Sequence, residues 1–560
     1  MVSNSINIVI GGEAGQGLVT IGQLLAKGLV RNGYFIAVTQ GYQSRIRGGH
    51  NTFAIRTGTD PILAPQESID LLIALDEQTV SLHQPELSRG GLMVVDRDWK
   101  VKGPACLEVP FKELAAEKFV NILALGVIGA LLGLPEEGLV SAVEDFFGHK
   151  APSSSEENHR ALKTAYQWTE GRTTVFPKLP PISNLPRRLM MNGNEAVALG
   201  ALSAGLKFFS FYPMTPSTSI ALSLAARAKT MGLIVEQAED EIAAVNMAIG
   251  ASFVGAPSMV ATSGGGFALM GEGVSLAGMT ETPLVIIVAQ RPGPATGLPT
   301  RTEQGDLEFI LHAGHGEFPR AVFTPGTVEE CFLLTRKALE LAESFQTPIF
   351  LLTDQFLADS YRAVNPFDVK GLSWIHPGYE GTPSSTPYLR YAFTENGLSP
   401  RFLPGKTENL VVADSDEHTE DGHLTEDLSV REQMMEKRLK KLEALTRQGV
   451  PPEFTGDEGP ELLLVTWGST KGSVLEAASI LKLQGKRVGA LCFSQVWPLV
   501  PEQFIDYLEG AEEVIGVEGN ALGQFSRLLR RETGFPITKK VLRYDGLPIT
   551  PEYILKQLAG

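Results

Sequence analysis

The chain has 560 residues, 43% of them hydrophobic, and a formal net charge of -16, so it is long enough for several cores of about 150 residues each. The acidic balance would repel a phosphate backbone and argues against a nucleic-acid binder. The longest strongly apolar run, "ILALGVIGALLGL" from Ile122 to Leu134, is too short for a bilayer core of about 30 Å and predicts a buried helix in a soluble, cytoplasmic protein with no membrane partner.

The N-terminus "MVSNSINIVIGG" has no basic segment before its apolar part and predicts a first strand rather than a secretory leader. It continues as "INIVIGGEAGQGLVTIGQLLAKGLVRNGYFIAVTQ", which predicts the opening βαβ of a doubly wound sheet. Gly11, Gly12, Gly15 and Gly17 allow backbone to approach a ligand at the helix N-terminus, or they simply make a tight turn. The second strand ends in "TQGY", without the acidic residue that a dinucleotide ribose would need. Next, "YQSRIRGGHNTFAIR" places Arg47, Gly48 and Gly49 in a basic turn that either faces a phosphate, closes a hairpin or docks a neighbouring domain. Beyond Ala151 the sequence is polar, and "FPKLPPISNLPRR" reads as an extended linker.

A second α/β domain starts at "NGNEAVALGALSAGLKFFSFYPMTPSTSIALSLAARA". Thr215 followed by Pro216 reads as an N-cap with proline at the first helical position, at the carboxyl end of a strand. The alternatives there are plain capping and an anion site. In "LIVEQAEDEIAAVNMAIGASFVGA", Glu241 shares a helical face with Val245, Ala248 and Ser252. On the solvated side it would be inert; against packed small residues its pKa would rise and suit it to proton exchange. "SMVATSGGGFALMGEG" repeats the pattern of strand, glycine turn and helix. "PLVIIVAQ" then delivers the proline- and glycine-rich, cationic loop "QRPGPATGLPTRTEQGD". Thr215, Gly264 to Gly266 and Arg291 all fall at the carboxyl ends of predicted parallel strands, where such sheets bind ligands.

Past Asn365 the periodicity is lost until the charged helix "VREQMMEKRLKKLEALTRQ", and this long stretch reads as an arm packing on a neighbour. His418 and His423 in "EHTEDGHLTED" read as part of a solvated acidic loop rather than as metal ligands. A last small α/β unit begins at "ELLLVTWGSTKGSVLEAASILKL". Cys106, Cys331 and Cys492 are too scattered to hold an iron–sulfur cluster or zinc, so they read as packing residues, and any redox metal would sit on another chain.

The ordered set "GGEAGQG", "RIRGGHN", "YPMTPST", "EDEIAAVNMAIGAS", "TSGGGFALM" and "RPGPATGLPTRTEQGDL" resembles the α subunit of 2-oxoacid:ferredoxin oxidoreductases. It looks most like the 2-oxoglutarate type with a γ domain fused at its N-terminus. The resemblance implies an α/β fold of several doubly wound domains. These are a γ-type domain at 1–174, a proline-rich linker at 175–192, a thiamine-diphosphate pyrimidine-type domain at 193–365, an arm at 366–457, and a C-terminal α/β domain at 458–560 like that of transketolases.

It also implies oxidative decarboxylation of 2-oxoglutarate to succinyl-CoA, with coenzyme A as co-substrate and ferredoxin as electron acceptor. The thiamine diphosphate would be shared with a β subunit that holds Mg²⁺ and a [4Fe-4S] cluster, in an (αβ)₂ heterotetramer. By the same match, Glu241 hydrogen-bonds the pyrimidine N1′. Arg291, Thr215 and Thr300 contact the oxoacid, Tyr212, Pro213, Gly264 and Gly265 line the cofactor, and Gly15, Gln16 and Gly17 lie near the coenzyme A path. Arg301 is a second cation of the loop, and Gly265 and Ala295 depart from the proline and serine common in relatives. Branched-chain 2-oxoacids or pyruvate are the alternative substrates, and a non-catalytic NAD- or CoA-binding scaffold is the alternative of another class.

Overall fold

The computed structural model describes residues 5–43, 49–101, 106–147, 152–172, 176–378, 388–406 and 408–559. It comprises two compact units: Met1–Asn192 with Asp359–Phe367 and Thr550–Gly560, and Gly193–Ala358 with Asp368–Ile549. Arg47 and Gly48 of the predicted basic turn lie outside the described residues.

The first unit holds an eight-stranded sheet in the order Cys106–Val109, Leu87–Asp96, Ile69–Ala74, Ile6–Glu13, His50–Gly58, Phe35–Gly41, Arg362–Val364, Leu189–Met191. The opening strand, helix Leu18–Arg31 and second strand form as their periodicity predicts. The two strands are not neighbours, however, because His50–Gly58 runs antiparallel between them. The connection from Gly41 to His50 is too short for a crossover helix, so it can only return the chain as an antiparallel neighbour. The sheet is therefore mixed rather than uniformly parallel.

The run from Ile122 lies in helix Val120–Leu132, where Ile122 to Leu132 are all buried. The proline-rich stretch does not leave this unit. Leu179 N–H donates to Leu132 O (2.9 Å), Tyr34 Oη donates to Pro180 O (2.9 Å), and Leu189–Met191 adds a strand. The unit is completed from far away in sequence: Ser360 Oγ donates to Val38 O (2.7 Å), and Thr550 Oγ1 to Glu67 Oε1 (2.9 Å). The expected boundary between 192 and 193 coincides with the spatial division, whereas Asp359–Phe367 and Thr550–Gly560 group with the first unit.

The second unit carries a seven-stranded sheet in the order Gln495–Trp497, Ala321–Phe323, Pro348–Asp354, Leu284–Gln290, Ser258–Thr262, Phe208–Phe211, Ile234–Gln237. All its pairings are parallel except that of Gln495–Trp497. Every residue of Leu284–Gln290 is buried, which explains its unbroken apolar run. From Phe208–Phe211 the chain moves first to one side and then to the other, so a crevice opens at the carboxyl ends beside Ser258–Thr262. A second, five-stranded sheet runs Glu453–Gly456, Val488–Phe493, Leu462–Trp467, Glu513–Glu518, Lys539–Leu542. Leu463, Val465, Trp467 and Phe493 share one core with Val260, Ile286, Val288 and Phe350.

The helix of the arm packs on its own unit. Helix Leu428–Arg447 directs Lys437 Nζ and Lys441 Nζ to Glu281 Oε1 and Oε2 (2.6 and 2.8 Å). Arg390 donates to Glu281 O (2.9 Å). The Glu281 side chain is fully buried, and a carboxylate so placed requires cations around it. That requirement draws the helix onto the chain. His418 also departs from expectation: it is buried against Tyr391, with ring centroids 4.0 Å apart, whereas His423 is exposed. Cys331 and Cys492 are buried and Cys106 is half-buried, all as free thiols. No helix among the described residues is long and apolar enough to cross a membrane.

Candidate active site

Four strand ends of the second unit build the site. After Phe208–Phe211 the chain turns through exposed Tyr212 and Pro213. Thr215 is not the helix cap that its sequence predicts. The Thr215–Pro216 peptide is cis, Pro216 O accepts from Asn194 Nδ2 (2.9 Å), and Ser217 Oγ donates to Met214 O (2.8 Å). These bonds close a separate turn, and the helix begins only at Thr218.

After Ile234–Gln237, Asp240 caps the next helix by accepting from Ala243 N–H (2.8 Å), which makes Glu241 its first residue. Val245, Ala248 and Ser252 are buried on its face as the spacing predicts. Glu241 itself is 3% exposed, and its Oε1 is buried without a hydrogen-bond partner. Burial raises its pKa, and the charge of Asp240 raises it further, against a backbone hydrogen bond that lowers it.

After Ser258–Thr262 comes the glycine turn, and its lack of side chains is a packing requirement. A Cβ on Gly266 would stand 2.3 Å from Glu241 Oε1 and 2.2 Å from Thr262 Oγ1; one on Gly264 would stand 2.4 Å from Asp306 Oδ2. Two carboxyl groups therefore rest on one turn. Gly265 between them is exposed, 3.7 Å from Ala295 O at its Cβ position. Ser263 is buried and its Oγ has no partner.

After Leu284–Gln290, Arg291 Nη1 donates to Thr215 O (2.7 Å), joining two strand ends. The loop then folds back, with Leu298 N–H on Pro292 O (3.1 Å). Its far end is anchored: Thr302 N–H donates to Gly546 O (3.2 Å), Gln304 Nε2 to Trp467 O (2.9 Å), and Gly519 N–H to Gln304 Oε1 (2.8 Å). Thr300 and Arg301 are half-buried just before these anchors, with Arg301 packed under Gly546.

Sequence reasoning missed Asp306. Burial pushes its carboxyl up to about 6 despite the opposing charge of Arg291. An aspartate directly before an apolar helix reads as a cap, yet Asp306 makes no side-chain cap bond.

The other predicted contact lies in the first unit. Gly15 and Gly17 have positive φ (103° and 79°), and Gly17 starts helix Leu18–Arg31 without a side-chain cap. Gln16 turns inward: its Oε1 accepts from Glu13 N–H (2.8 Å) and its Nε2 donates to Leu75 O (3.4 Å). Gln16 thus braces the turn. Among the described residues no group of His, Cys, Asp or Glu has the clustering of a metal site.

The chain is 33% identical to the 2-oxoacid:ferredoxin oxidoreductase subunit alpha of a Sulfolobus species, an alignment covering 96% of this chain and 94% of that one. It belongs to this α-subunit family. Residues 199–437 match the family described as "Pyruvate flavodoxin/ferredoxin oxidoreductase, thiamine diP-bdg", and residues 7–168 match "Pyruvate ferredoxin/flavodoxin oxidoreductase". The family member named 2-oxoglutarate oxidoreductase subunit KorA of Mycobacterium tuberculosis is 28% identical, over 94% of this chain and 87% of that one. Among solved structures, this α subunit is similar to the 2-oxoglutarate:ferredoxin oxidoreductase of Magnetococcus marinus, determined with 2-oxoglutarate, coenzyme A and succinyl-CoA bound. The two are 31% identical, with a TM-score of 0.93 and 99% of each chain covered.

Proposed function

We propose that this chain is the α subunit of a cytoplasmic 2-oxoglutarate:ferredoxin oxidoreductase, which converts 2-oxoglutarate and coenzyme A to succinyl-CoA and CO₂ while reducing ferredoxin. The observation that carries the reading is the buried, unpartnered Glu241 Oε1 on a glycine turn, at the carboxyl ends of parallel strands. An orphaned carboxyl oxygen against the Cβ-free Gly266 fits the edge of a flat heterocycle, so the residues present suit the pyrimidine side of thiamine diphosphate. Tyr212, Pro213, Gly264 and Gly265 would line that side, and Glu241 would hold the ring nitrogen N1′. When bound, the cofactor supplies the electron sink that lets the C1–C2 bond of a 2-oxoacid break.

The chain's own residues have narrower tasks. Glu241 holds a proton at Oε1 or gives it up to the ring nitrogen, and burial, by raising its pKa, favours the protonated form more than in an ordinary glutamate. Arg291 is fixed in direction by Thr215 O, and its remaining N–H groups read a substrate carboxylate with a fork that lysine lacks. The hydroxyls of Thr215 and Thr300 are assigned to the oxoacid. The prolines of the loop and its anchors through Gln304 keep these groups in place as substrate arrives. The Gly15–Gln16–Gly17 turn is assigned to the coenzyme A path through its glycine backbone, since the Gln16 side chain is used within the turn.

The diphosphate, Mg²⁺ and the [4Fe-4S] cluster belong in this reading to a β subunit in an (αβ)₂ assembly. The helix that carries Glu241 supports a partner there: its other side exposes Ile242 (51%) and Met247, with Leu269 on the next turn, apolar surface of the kind a subunit covers. The test is oxoacid-dependent reduction of a low-potential acceptor by the αβ complex. Glu241→Gln is expected to lower turnover by about 100-fold or more, and turnover within about twofold of wild type would remove Glu241 from its role. Pyruvate should be turned over far less well than 2-oxoglutarate; equal rates would overturn the dicarboxylate assignment.

A further inference from the structure

The turn that carries Thr215 is gripped by a side chain from another helix. Asn194, the second residue of helix Gly193–Ala204, is fully buried. Its Nδ2 donates to Pro216 O (2.9 Å) and to Ser219 Oγ (2.7 Å), so one amide joins the turn to the start of helix Thr218–Ala225. Pro216 O can only accept, which fixes the amide nitrogen on that side and leaves Asn194 Oδ1 buried without a partner. A buried polar atom left unpaired costs stability and calls for an explanation. An apolar residue of similar size would avoid that cost but could not grip the turn.

The helix that supplies the amide is itself closely seated. A Cβ on Gly193 would stand 2.5 Å from Leu357 O, and one on Gly200 would stand 2.4 Å from Phe332 O, so the helix rests on backbone at two places about two turns apart. The other side of the grip leads to the substrate end of the site. Pro216 follows Thr215, and Thr215 O accepts from Arg291 Nη1 (2.7 Å). Asn194, Pro216, Thr215 and Arg291 thus form a continuous chain: a hydrogen bond, a peptide link and a second hydrogen bond.

We propose that Asn194 is a positioning residue for the 2-oxoacid, which fixes the Thr215–Pro216 turn and through it the direction in which Arg291 presents its guanidinium. The inference rests on Arg291 and Thr215 as the residues that meet the substrate. The N–H that Arg291 gives to Thr215 O decides where its remaining donors point. With the turn gripped, those donors are aimed before the substrate arrives, and binding does not have to order them. Without the amide, Pro216 O loses its donor, the turn shifts, and the arginine follows Thr215 O. Glu241 and its glycine turn stand on other strand ends, so the loss falls on carboxylate binding rather than on bond breaking.

The experiment uses the αβ complex and glutarate, a dicarboxylate that does not react. Its Kd is measured by calorimetry, beside thiamine content and the KM and kcat for 2-oxoglutarate. Asn194→Ala should weaken glutarate binding and raise KM by about tenfold, the effect of a small error in placement, with kcat within about threefold of wild type. Thiamine content should equal that of wild type. Asn194→Leu keeps the volume without the donor and without the orphaned oxygen, so it should show the same loss of binding with a Tm no lower than that of Asn194→Ala; it also serves if the smaller residue prevents assembly. Arg291→Gln should weaken glutarate by about tenfold or more, and adding Asn194→Ala to it should change Kd by no more than about twofold, because both act through one guanidinium. Additive losses in the double variant, wild-type binding in Asn194→Leu, or a fall in kcat and thiamine content with unchanged glutarate binding would overturn the positioning role. Unchanged glutarate binding in Arg291→Gln would instead overturn the carboxylate-reading arginine itself.

Discussion

Glu241 and Gly266 form one device at the scale of residues. The carboxyl can be buried yet unpartnered only because the facing position has no Cβ, so Gly266→Ala should act through Glu241 without touching its chemistry. The added methyl would overlap Glu241 Oε1 and Thr262 Oγ1, and relief of such overpacking costs about 1–3 kcal/mol. We expect the αβ complex of Gly266→Ala to purify with reduced thiamine content and a lowered Tm; wild-type thiamine content would show that the turn yields without moving Glu241. Asp306 gives a prediction of opposite sign for stability. Its folded pKa lies above the unfolded value near 3.9, so its ionisation opposes folding, progressively from about pH 4 to about pH 6 and fully above that. Asp306→Asn should therefore raise Tm near pH 7.5 more than near pH 4, as read by thermal melts at both values. The sequence carried much of this site. The spacing of Glu241 to Val245, Ala248 and Ser252 put them on one helical face but left open whether that face is packed, and the position of Arg291 followed from the apolar strand before it. Asp306 and Ser263 were illegible because whether a polar side chain caps a helix, or is left unpaired, depends on how the backbone on either side turns.

Single elements show where local pattern ends and tertiary demand begins. Strand and helix positions through Ser258–Thr262 and Leu284–Gln290 follow from apolar periodicity alone. Helix Leu428–Arg447 was equally visible as a helix, but its face was not: Lys437 and Lys441 look like solvent residues and are instead buried on Glu281. Burial lowers the Lys437 pKa to about 8 even with Glu281 beside it, a measure of how completely water is excluded. The cluster holds the helix down through one carboxylate. Glu281→Gln leaves Lys437, Lys441 and Arg390 without their counter-charge, and breaking a buried pair in this way costs about 3–5 kcal/mol. Hydrogen exchange along Leu428–Arg447 should accelerate strongly in that variant while the strand Leu284–Gln290 stays protected. Unchanged protection of the helix would mean that Arg438 and its bonds to Glu417 (3.0 and 2.7 Å) suffice to hold the arm.

The chain as a whole is less modular than its sequence suggests. Composition draws a linker at the prolines and a separate last domain, because local residue choice reports local flexibility. It cannot report that a distant segment supplies an edge strand or a covering helix. The first unit takes both from outside its own stretch, Arg362–Val364 as a strand and Pro551–Ala559 as a helix. In that helix Pro551 and Ile554 are buried, and burial raises the pKa of Glu552. The second unit shares one core between its two sheets, so it has no comparable dependence on the C-terminal helix. Ending the chain at Ile549 should therefore weaken the first unit selectively. Removal of the buried Ile554 side chain alone forfeits about 2–3 kcal/mol of apolar burial, and Glu67 loses the Thr550 hydroxyl as well. Limited proteolysis of the truncated chain should cut first within 5–192 and leave a protected product spanning 193–358. Equal cleavage of both stretches would mean that the last helix stabilises the molecule globally, and the division into two units would then not describe how it unfolds.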